Sequence, residues 1–303
     1  GYAPTGGIIP CLGEAELEAR AQFIEKLRAE TEDGTYPASV LSRKELEGML
    51  PKVPFGPEVS GGIWSDMDGY VDPLHLMFAF RKSFVRLGGT LFAGERVSEV
   101  KPSGKGYTVV CGGRTLECGK AVLAAGLGVR KLAAQLGTDI PVFPNKSQVM
   151  LLERIPADVL PIPLLGIART FGGTVMIGAA HENMGMDRRL TPEVLAANAQ
   201  WAVRVWPELE RKRILRFWTG LRVWPKDAYP IYDRIPGHEN AFVFAMHSAV
   251  SLAAILEQAL PDYVMGKPLP PDGAIFGLSR FAGGASGFQG SADSSPHAEA
   301  PNK

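Results

Sequence analysis

The amino-acid sequence predicts an α/β fold, and three observations support that class. Segments with apolar residues at helical spacing alternate with short apolar runs, which indicates helices interleaved with strands. The run at residues 121–124 is apolar throughout, as expected of a strand that is covered on both faces. Two such runs, ending at Ala124 and Met246, lead directly into small residues and a helix, which is typical of strands in open α/β sheets.

The bulk composition favours a globular protein and gives no argument for a charged macromolecular partner. Of 303 residues, 46% are hydrophobic and 21% are charged, with 32 basic side chains against 32 acidic ones. This neutral balance does not favour binding to nucleic acid or to an anionic membrane. Cys11, Cys111 and Cys118 lack the spacing of a metal site or disulfide framework, so a cytoplasmic location is expected. No apolar run reaches the ~18 residues that a membrane span needs, and no signal peptide is visible.

Three helices are predicted in the first third of the chain. The first covers Glu14–Glu30, where apolar residues recur at helical spacing between charges. The second is short and opens with a capping box formed by Ser42 and Glu45. The third opens with Asp72 as N-cap and Pro73 at its first position. Its apolar stripe is expected to be buried and consists of Leu76, Phe80, Phe84 and Leu87.

Strands dominate from Thr90 onward, where the apolar period changes to two. Short strands are predicted at 91–93, 107–111, 115–118 and 120–124, and later at 149–152, 174–178, 215–221 and 241–246. Helices are predicted from Thr191 to Trp206 and from about Ala249 to Met265. The tail at 283–303 is rich in Gly, Ser and Ala, and is expected to be disordered because it lacks apolar residues to bury.

The junctions at 122–126 and 242–252 are candidate ligand sites. Ligands of open α/β sheets bind beyond the carboxyl ends of strands, and the free N–H groups of a helix start favour negative charge there. Each junction alone also has an ordinary structural interpretation, because strand-to-helix turns with small residues are common.

The stretch between these junctions carries a specific resemblance. Residues 218–231 have the pattern W-x-G-L-R-x-x-P-x-D-x-x-P-I, and a strand and then H-S-x-V-x-L follow, at 247–252. This arrangement resembles the D-amino-acid oxidase-type flavoenzymes, which include glycine and sarcosine oxidases, D-amino-acid dehydrogenases, and the flavin subunits of opine and hydroxyproline oxidoreductases. Residues 69–73, 122–126, 141–150 and 175–178 resemble further family segments in the same order, so the resemblance covers about residues 1–270.

The resemblance implies two domains. An FAD-binding domain of the Rossmann-like, glutathione-reductase type is expected at 1–140 plus 226–270, discontinuous and without its first βαβ unit. An antiparallel α+β substrate domain is expected as an insertion at 141–225. The alternative that parts of residues 1–60 pack with the substrate domain stays open.

The resemblance also implies non-covalent FAD and a set of residues that contact it. Val97 matches the position whose backbone meets the adenine. A strand end made of small residues lets the cofactor approach closely. A helix start beside the flavin would stabilise negative charge on the reduced ring. The strand end is Ala124, Ala125 and Gly126, and the helix start is His247, Ser248, Ala249, Val250, Ser251 and Leu252.

Arg222 matches the arginine that the family pairs with a substrate carboxylate, and His181 falls at a substrate-pocket position. A fixed, bidentate cation would align the substrate Cα–H with the flavin. The alternatives are an ordinary ion pair of Arg222, for instance with Asp227, and a purely structural His181. No metal site is expected.

The implied reaction is FAD-dependent oxidation of a small amino acid or secondary amine by hydride transfer from its Cα. Two alternatives remain: an electron-transferring flavin subunit of a hetero-oligomeric dehydrogenase, and a flavin-free structural or regulatory partner. Both homo-oligomers and hetero-oligomers stay open as assemblies.

Two departures from the family pattern bear on these expectations. The G-x-G-x-x-G turn is missing, because Gly6, Gly7 and Gly13 are not expected to lie between an apolar strand and a suitable helix. The chain also lacks an initial Met, so we expect it to be a piece of a longer protein. By itself, this piece is expected to bind FAD poorly, to be inactive and to expose sheet edges. In the second departure, Val223 and Trp224 replace the usual neighbours of the arginine, which leaves the pocket shape there open.

Overall fold

The computed structural model describes residues 1–178 and 180–282. It divides into two compact units. Unit 1 contains Gly1–Gly88, Ser147–Ala180 and Arg188–Gly220; unit 2 contains Gly89–Lys146, His181–Asp187 and the chain from Leu221 onward. These units group residues by contact and differ in their bounds from the expected domains. The assignment of FAD binding and substrate binding to particular domains therefore stays a prediction.

The helices and strands are as follows, in chain order. The first part contains β1 (Tyr2–Ala3), β2 (Gly7–Leu12), α1 (Glu14–Glu30), β3 (Ser39–Ser42), α2 (Arg43–Met49), β4 (Val59–Ser65), β5 (Tyr70–Val71) and α3 (Pro73–Arg86). Next come β6 (Val97–Ser103), β7 (Gly106–Cys111), β8 (Arg114–Cys118), β9 (Ala121–Leu123), α4 (Val129–Ala134), β10 (Val142–Arg154), β11 (Ile167–Arg169) and β12 (Thr174–Gly178). The last are α5 (Pro192–Val205), β13 (Ile214–Pro225), β14 (Ile231–Arg234), β15 (Ala241–Ala245), α6 (Ala253–Val264) and α7 (Pro271–Ala274).

Unit 1 is built from antiparallel sheets with helices against them. Its sheets have the strand orders β2-β4-β3, β11-β12-β10-β13 and β1-β5. The central core holds the side chains of Leu46, Ile167 and Trp206, which are almost fully buried. Two local sequence signals are confirmed here, since Ser42 and Glu45 form a complete capping box and Asp72 caps α3 ahead of Pro73.

Unit 2 combines an antiparallel sheet, β6-β7-β8, with a mixed sheet, β14-β15-β9. In the mixed sheet β9 and β15 run parallel, with Ala121 opposite Ala241 and Leu123 opposite Val243. Helix α4 contributes Val129 to a core that also contains Ile140 and Ile231. The α/β class is confirmed. Among the named strands of the described residues, β9 and β15 are the two that pair in parallel.

Three local predictions were wrong. Residues 91–93 form no strand, because Gly88 and Gly94 adopt positive φ values of 90° and 77° and the chain turns there. The last long helix begins at Ala253 rather than near Ala249, since Ser248, with φ 55°, interrupts the helical path. The stripe on α3 is not buried: Phe80 is 54% and Leu87 80% exposed, and no residue of α3 is buried.

The reason for the α3 result is physical. Helical spacing shows that one face of α3 is apolar, whereas burial requires another element to cover that face, and no described element does so. No described helix is both long and apolar enough to cross a bilayer. The predicted disorder of residues 283–303 lies outside the described residues.

Candidate active site

Arg222 lies near the end of β13, and its neighbours extend to alternate sides of the strand. Val223 lines an apolar cavity. Arg222 and Trp224 contact His181 instead. The end of β13 therefore presents one apolar side and one polar, aromatic side. The residues on the second side, Arg222, His181, Trp224 and His247, are called the ring cluster below.

The Arg222 guanidinium donates to the imidazole of His181, with 2.9 Å between Nη1 and Nε2. The other ring nitrogen, Nδ1, lies 3.0 Å from the side-chain oxygen of Asn145. Because an amide oxygen can only accept, Nδ1 carries the proton and Nε2 offers its lone pair to Arg222. His181 thus contacts the guanidinium as a neutral ring.

A short β-bridge positions His181. Lys146 and Glu182 exchange backbone hydrogen bonds of 2.9 and 3.0 Å, and their side chains form an ion pair with 3.1 Å between Nζ and Oε2. These side chains are only 1% and 7% exposed. A buried ion pair stabilises a structure only when its geometry is good. Together with the two backbone hydrogen bonds, this ion pair holds residues 181–183 beside Asn145.

Trp224 connects the two histidines. Its ring stacks on His247 with 4.4 Å between centroids and 15° between planes, and it meets His181 edge-on at 5.2 Å. Nε2 of His247 donates to the carbonyl oxygen of Ala228, at 2.6 Å, and the hydroxyl of Ser248 lies 2.8 Å from Nδ1. The indole is therefore held between two rings whose own positions are fixed by hydrogen bonds.

Asp227 has a different partner from the one considered in the sequence. It pairs with Arg280, whose Nε lies 2.6 Å from Oδ2, and both side chains are nearly buried. The alternative of an Arg222–Asp227 ion pair is therefore wrong. The reason is geometric. The guanidinium of Arg280 also donates to the carbonyl groups of Tyr229 and Pro230, so it encloses the turn that carries Asp227.

An apolar cavity of about 590 Å³ lies beyond the carboxyl ends of the parallel strands β9 and β15. Gly126 adopts a φ of 55°, where a Cβ is strained, and its open side faces Val223. Burial raises the pKa of Tyr232, so its hydroxyl stays protonated and donates to the sulfur of Met246, 3.3 Å away. The lining includes Ala124, Gly126, Val223, Met246, Ala249 and Leu260.

The expected cofactor residues do not all come together. Ala124, Gly126 and Ala249 line the cavity, and Ala125 lies between the first two in sequence. Val97 begins β6 and packs at the edge of the unit 2 core. His247 and Ser248 are hydrogen-bonded in the ring cluster. Val250 is 45% exposed, and Ser251 and Leu252 belong to the turn before α6. The expected helix start at 247–252 is therefore a turn, with Leu252 as the N-cap of α6.

The flavin part and the phosphate part of FAD differ in how well the residues of this chain fit them. The lining of the cavity is apolar and the strand ends carry small residues, which suits the dimethylbenzene part of a flavin ring. A strand, Gly13 and a long helix follow one another at β2 and α1, but β2 pairs antiparallel with β4, unlike the first strand of a dinucleotide-binding βαβ unit. That helix start also carries Glu14 and Glu16, and Glu16 accepts from the N–H of Leu12, which disfavours a phosphate there.

Known proteins have sequences similar to this one. Residues 1–256 match the family described as FAD dependent oxidoreductase. The chain belongs to this FAD-dependent oxidoreductase family. An opine oxidase subunit of Agrobacterium tumefaciens (strain Ach5) is 31% identical over 93% of this chain and 75% of that protein.

Solved structures agree at the level of the fold. The crystal structure of glycine oxidase from Geobacillus kaustophilus has a TM-score of 0.83 at 23% identity, covering 93% of this chain and 76% of that one. That of L-proline dehydrogenase from P. horikoshii has a TM-score of 0.82 at 20% identity, covering 93% and 77%. The fold of this FAD-dependent family is therefore shared across these enzymes.

The structure adds three residues to the site that the sequence did not single out for it. Trp224 was noted only as a departure from the family pattern, although its position two residues from Arg222 on a strand placed both on one side. Asn145 and Lys146 carried no signal, because their contacts with His181 and Glu182 depend on the fold rather than on spacing along the chain.

Proposed function

We propose that this chain oxidises the C–N bond of a small amino acid or secondary amine that carries a carboxylate, using non-covalently bound FAD. The observation that carries the proposal is the ring cluster, in which a guanidinium held by a neutral imidazole stands at the end of β13. Membership of an FAD-dependent oxidoreductase family supports the cofactor.

The role of Arg222 is to bind and orient the substrate. A guanidinium fork matches a carboxylate in two parallel hydrogen bonds, which fixes both position and direction. The hydrogen bond from Arg222 to Nε2 of His181 holds the guanidinium in one orientation. A substrate carboxylate therefore finds a pre-oriented cation, and its Cα is held in one place.

FAD, when bound, supplies the acceptor for the hydride that leaves Cα. The substrate also loses a proton from nitrogen, giving an imine that water hydrolyses to a carbonyl compound and an amine. The protein side of the cofactor site would include Ala124, Gly126 and Ala249, with Ala125 beside them. Val97, His247, Ser248, Val250, Ser251 and Leu252 remain proposed contacts on the basis of the family resemblance.

A second candidate is an electron-transferring flavin subunit within a hetero-oligomer. It is favoured by the names of two relatives, an opine oxidase subunit and the hydrogen cyanide synthase subunit HcnC, both of which are subunits. The substrate chemistry would be the same, and only the electron acceptor would differ.

Replacement of Arg222 tests the proposal. In protein expressed from the complete reading frame, R222A should lower kcat/KM for glycine and sarcosine about 10- to 100-fold, because one charged hydrogen-bonding group is lost. R222K keeps the charge without the fork and should fall between. Flavin content should not change.

The matched control is R213A, since Arg213 is an exposed arginine whose partner is Glu153. It should leave kcat/KM within about twofold. Equal activity of R222A and wild type, with flavin bound, would contradict the carboxylate-binding role.

A further inference from the structure

We propose that Trp224 is a specificity-determining residue that contacts the substituent on the substrate nitrogen, so that N-substituted amino acids are favoured over glycine. The inference rests on the proposed function and names the substrate class for the same site.

The first argument is position. Arg222 and Trp224 are next neighbours on one side of β13, and same-side residues of a strand are separated by roughly 6–7 Å. An amino acid anchored by its carboxylate extends through Cα to nitrogen and then to the nitrogen substituent. The substituent is thus the part of the ligand farthest from Arg222.

The second argument is rigidity. The stack on His247 and the edge contact with His181 fix the indole in one orientation. A surface that is already fixed loses little conformational entropy when a ligand packs against it. Trp224 is half-buried, which leaves part of the indole accessible.

The third argument is chemical character. Within the ring cluster, the guanidinium and the two imidazoles are polar, and the indole supplies the large apolar surface. Each methylene that packs on such a surface improves binding about fourfold. Glycine has no group to place there, whereas sarcosine and larger N-alkyl glycines do.

The experiment measures ligand selectivity without needing turnover. Glycolate, methoxyacetate and ethoxyacetate have the shapes of glycine, sarcosine and N-ethylglycine, with oxygen in place of nitrogen. Their Kd values would be measured by calorimetry on protein expressed from the complete reading frame. In wild type, affinity should rise about fourfold at each step along this series.

W224A should abolish the rise in affinity along the series, whatever its effect on the Kd of glycolate. W224F keeps an aromatic ring and should retain most of the rise in affinity. It also provides the test if W224A does not fold. The matched control is W218A, a tryptophan of the same strand, which should leave the series unchanged.

Either of two results for W224A would overturn the inference. One is an equal loss of affinity for all three ligands, as expected of a purely structural tryptophan. The other is an unchanged rise in affinity along the series. Flavin reduction by glycine and sarcosine is followed on the same protein. If the ligand series behaves as stated but neither amine reduces flavin, the proposed reaction fails while the role of Trp224 stands.

Discussion

The contact between Arg222 and His181 shows how a single tautomer shapes a binding site. Asn145 accepts from Nδ1, which leaves Nε2 as an acceptor for the guanidinium. The imidazole therefore holds the guanidinium by a hydrogen bond near the end of β13. A guanidinium in that position can pair with a carboxylate.

Cys11 gives a pH-dependent test at the residue scale. Burial, and next the charge of Glu16, raise the pKa of its thiol to about 11. The folded chain therefore keeps a proton that the unfolded chain releases. The resulting stability is complete below the pKa of the unfolded thiol and is lost as pH rises towards 11.

Thiol labelling with a disulfide reagent at pH 8 should accordingly modify half-buried Cys118 at least tenfold faster than Cys11, which is fully buried. Denaturant should make the two rates equal. A C11A variant should lose one of two slowly labelled thiols, the other being that of buried Cys111. Fast labelling of Cys11 in the folded protein would contradict its burial.

At the scale of elements, local chemistry was readable from the sequence and tertiary contacts were not. The helix of α1, the Ser42 cap and the Asp72 cap follow from spacing and side-chain chemistry within a few residues. Burial of the α3 stripe depended on a covering element, and the start of α6 depended on the backbone of Ser248. The same division holds in the site, where a motif identified Arg222 but spacing could not join Asn145 to His181.

The bridge between Lys146 and Glu182 is the element that positions His181, and it supports a stability prediction. K146M leaves a carboxylate buried without this ammonium and should lower the free energy of unfolding by about 3–5 kcal/mol. The double variant K146M/E182L removes both charges and should recover most of that loss. Urea denaturation of K146M, E182L and the double variant measures the coupling, and additive losses would show that the pair is not coupled.

At the scale of the whole molecule, two apolar surfaces stand out among the described residues. The stripe of α3 is exposed, and β9 is the last strand of its sheet with Val122 43% exposed. Apolar faces and open strand edges favour association with other polypeptide. The chain also spans 75% of the length of the opine oxidase subunit that it resembles. Flavin content and activity are properties of the full-length protein.

The measurement that tests the account most directly is a flavin absorbance spectrum of that protein, together with an A124W variant. Wild type should purify yellow, with bands at about 375 and 450 nm, release FAD on denaturation and bleach with an amino-acid substrate. A124W places a large ring at a wall of the apolar cavity and should lower flavin content at least tenfold. A folded wild-type protein that is colourless and takes up no added FAD would contradict the oxidoreductase assignment, and equal flavin content in A124W would contradict the cavity as its site.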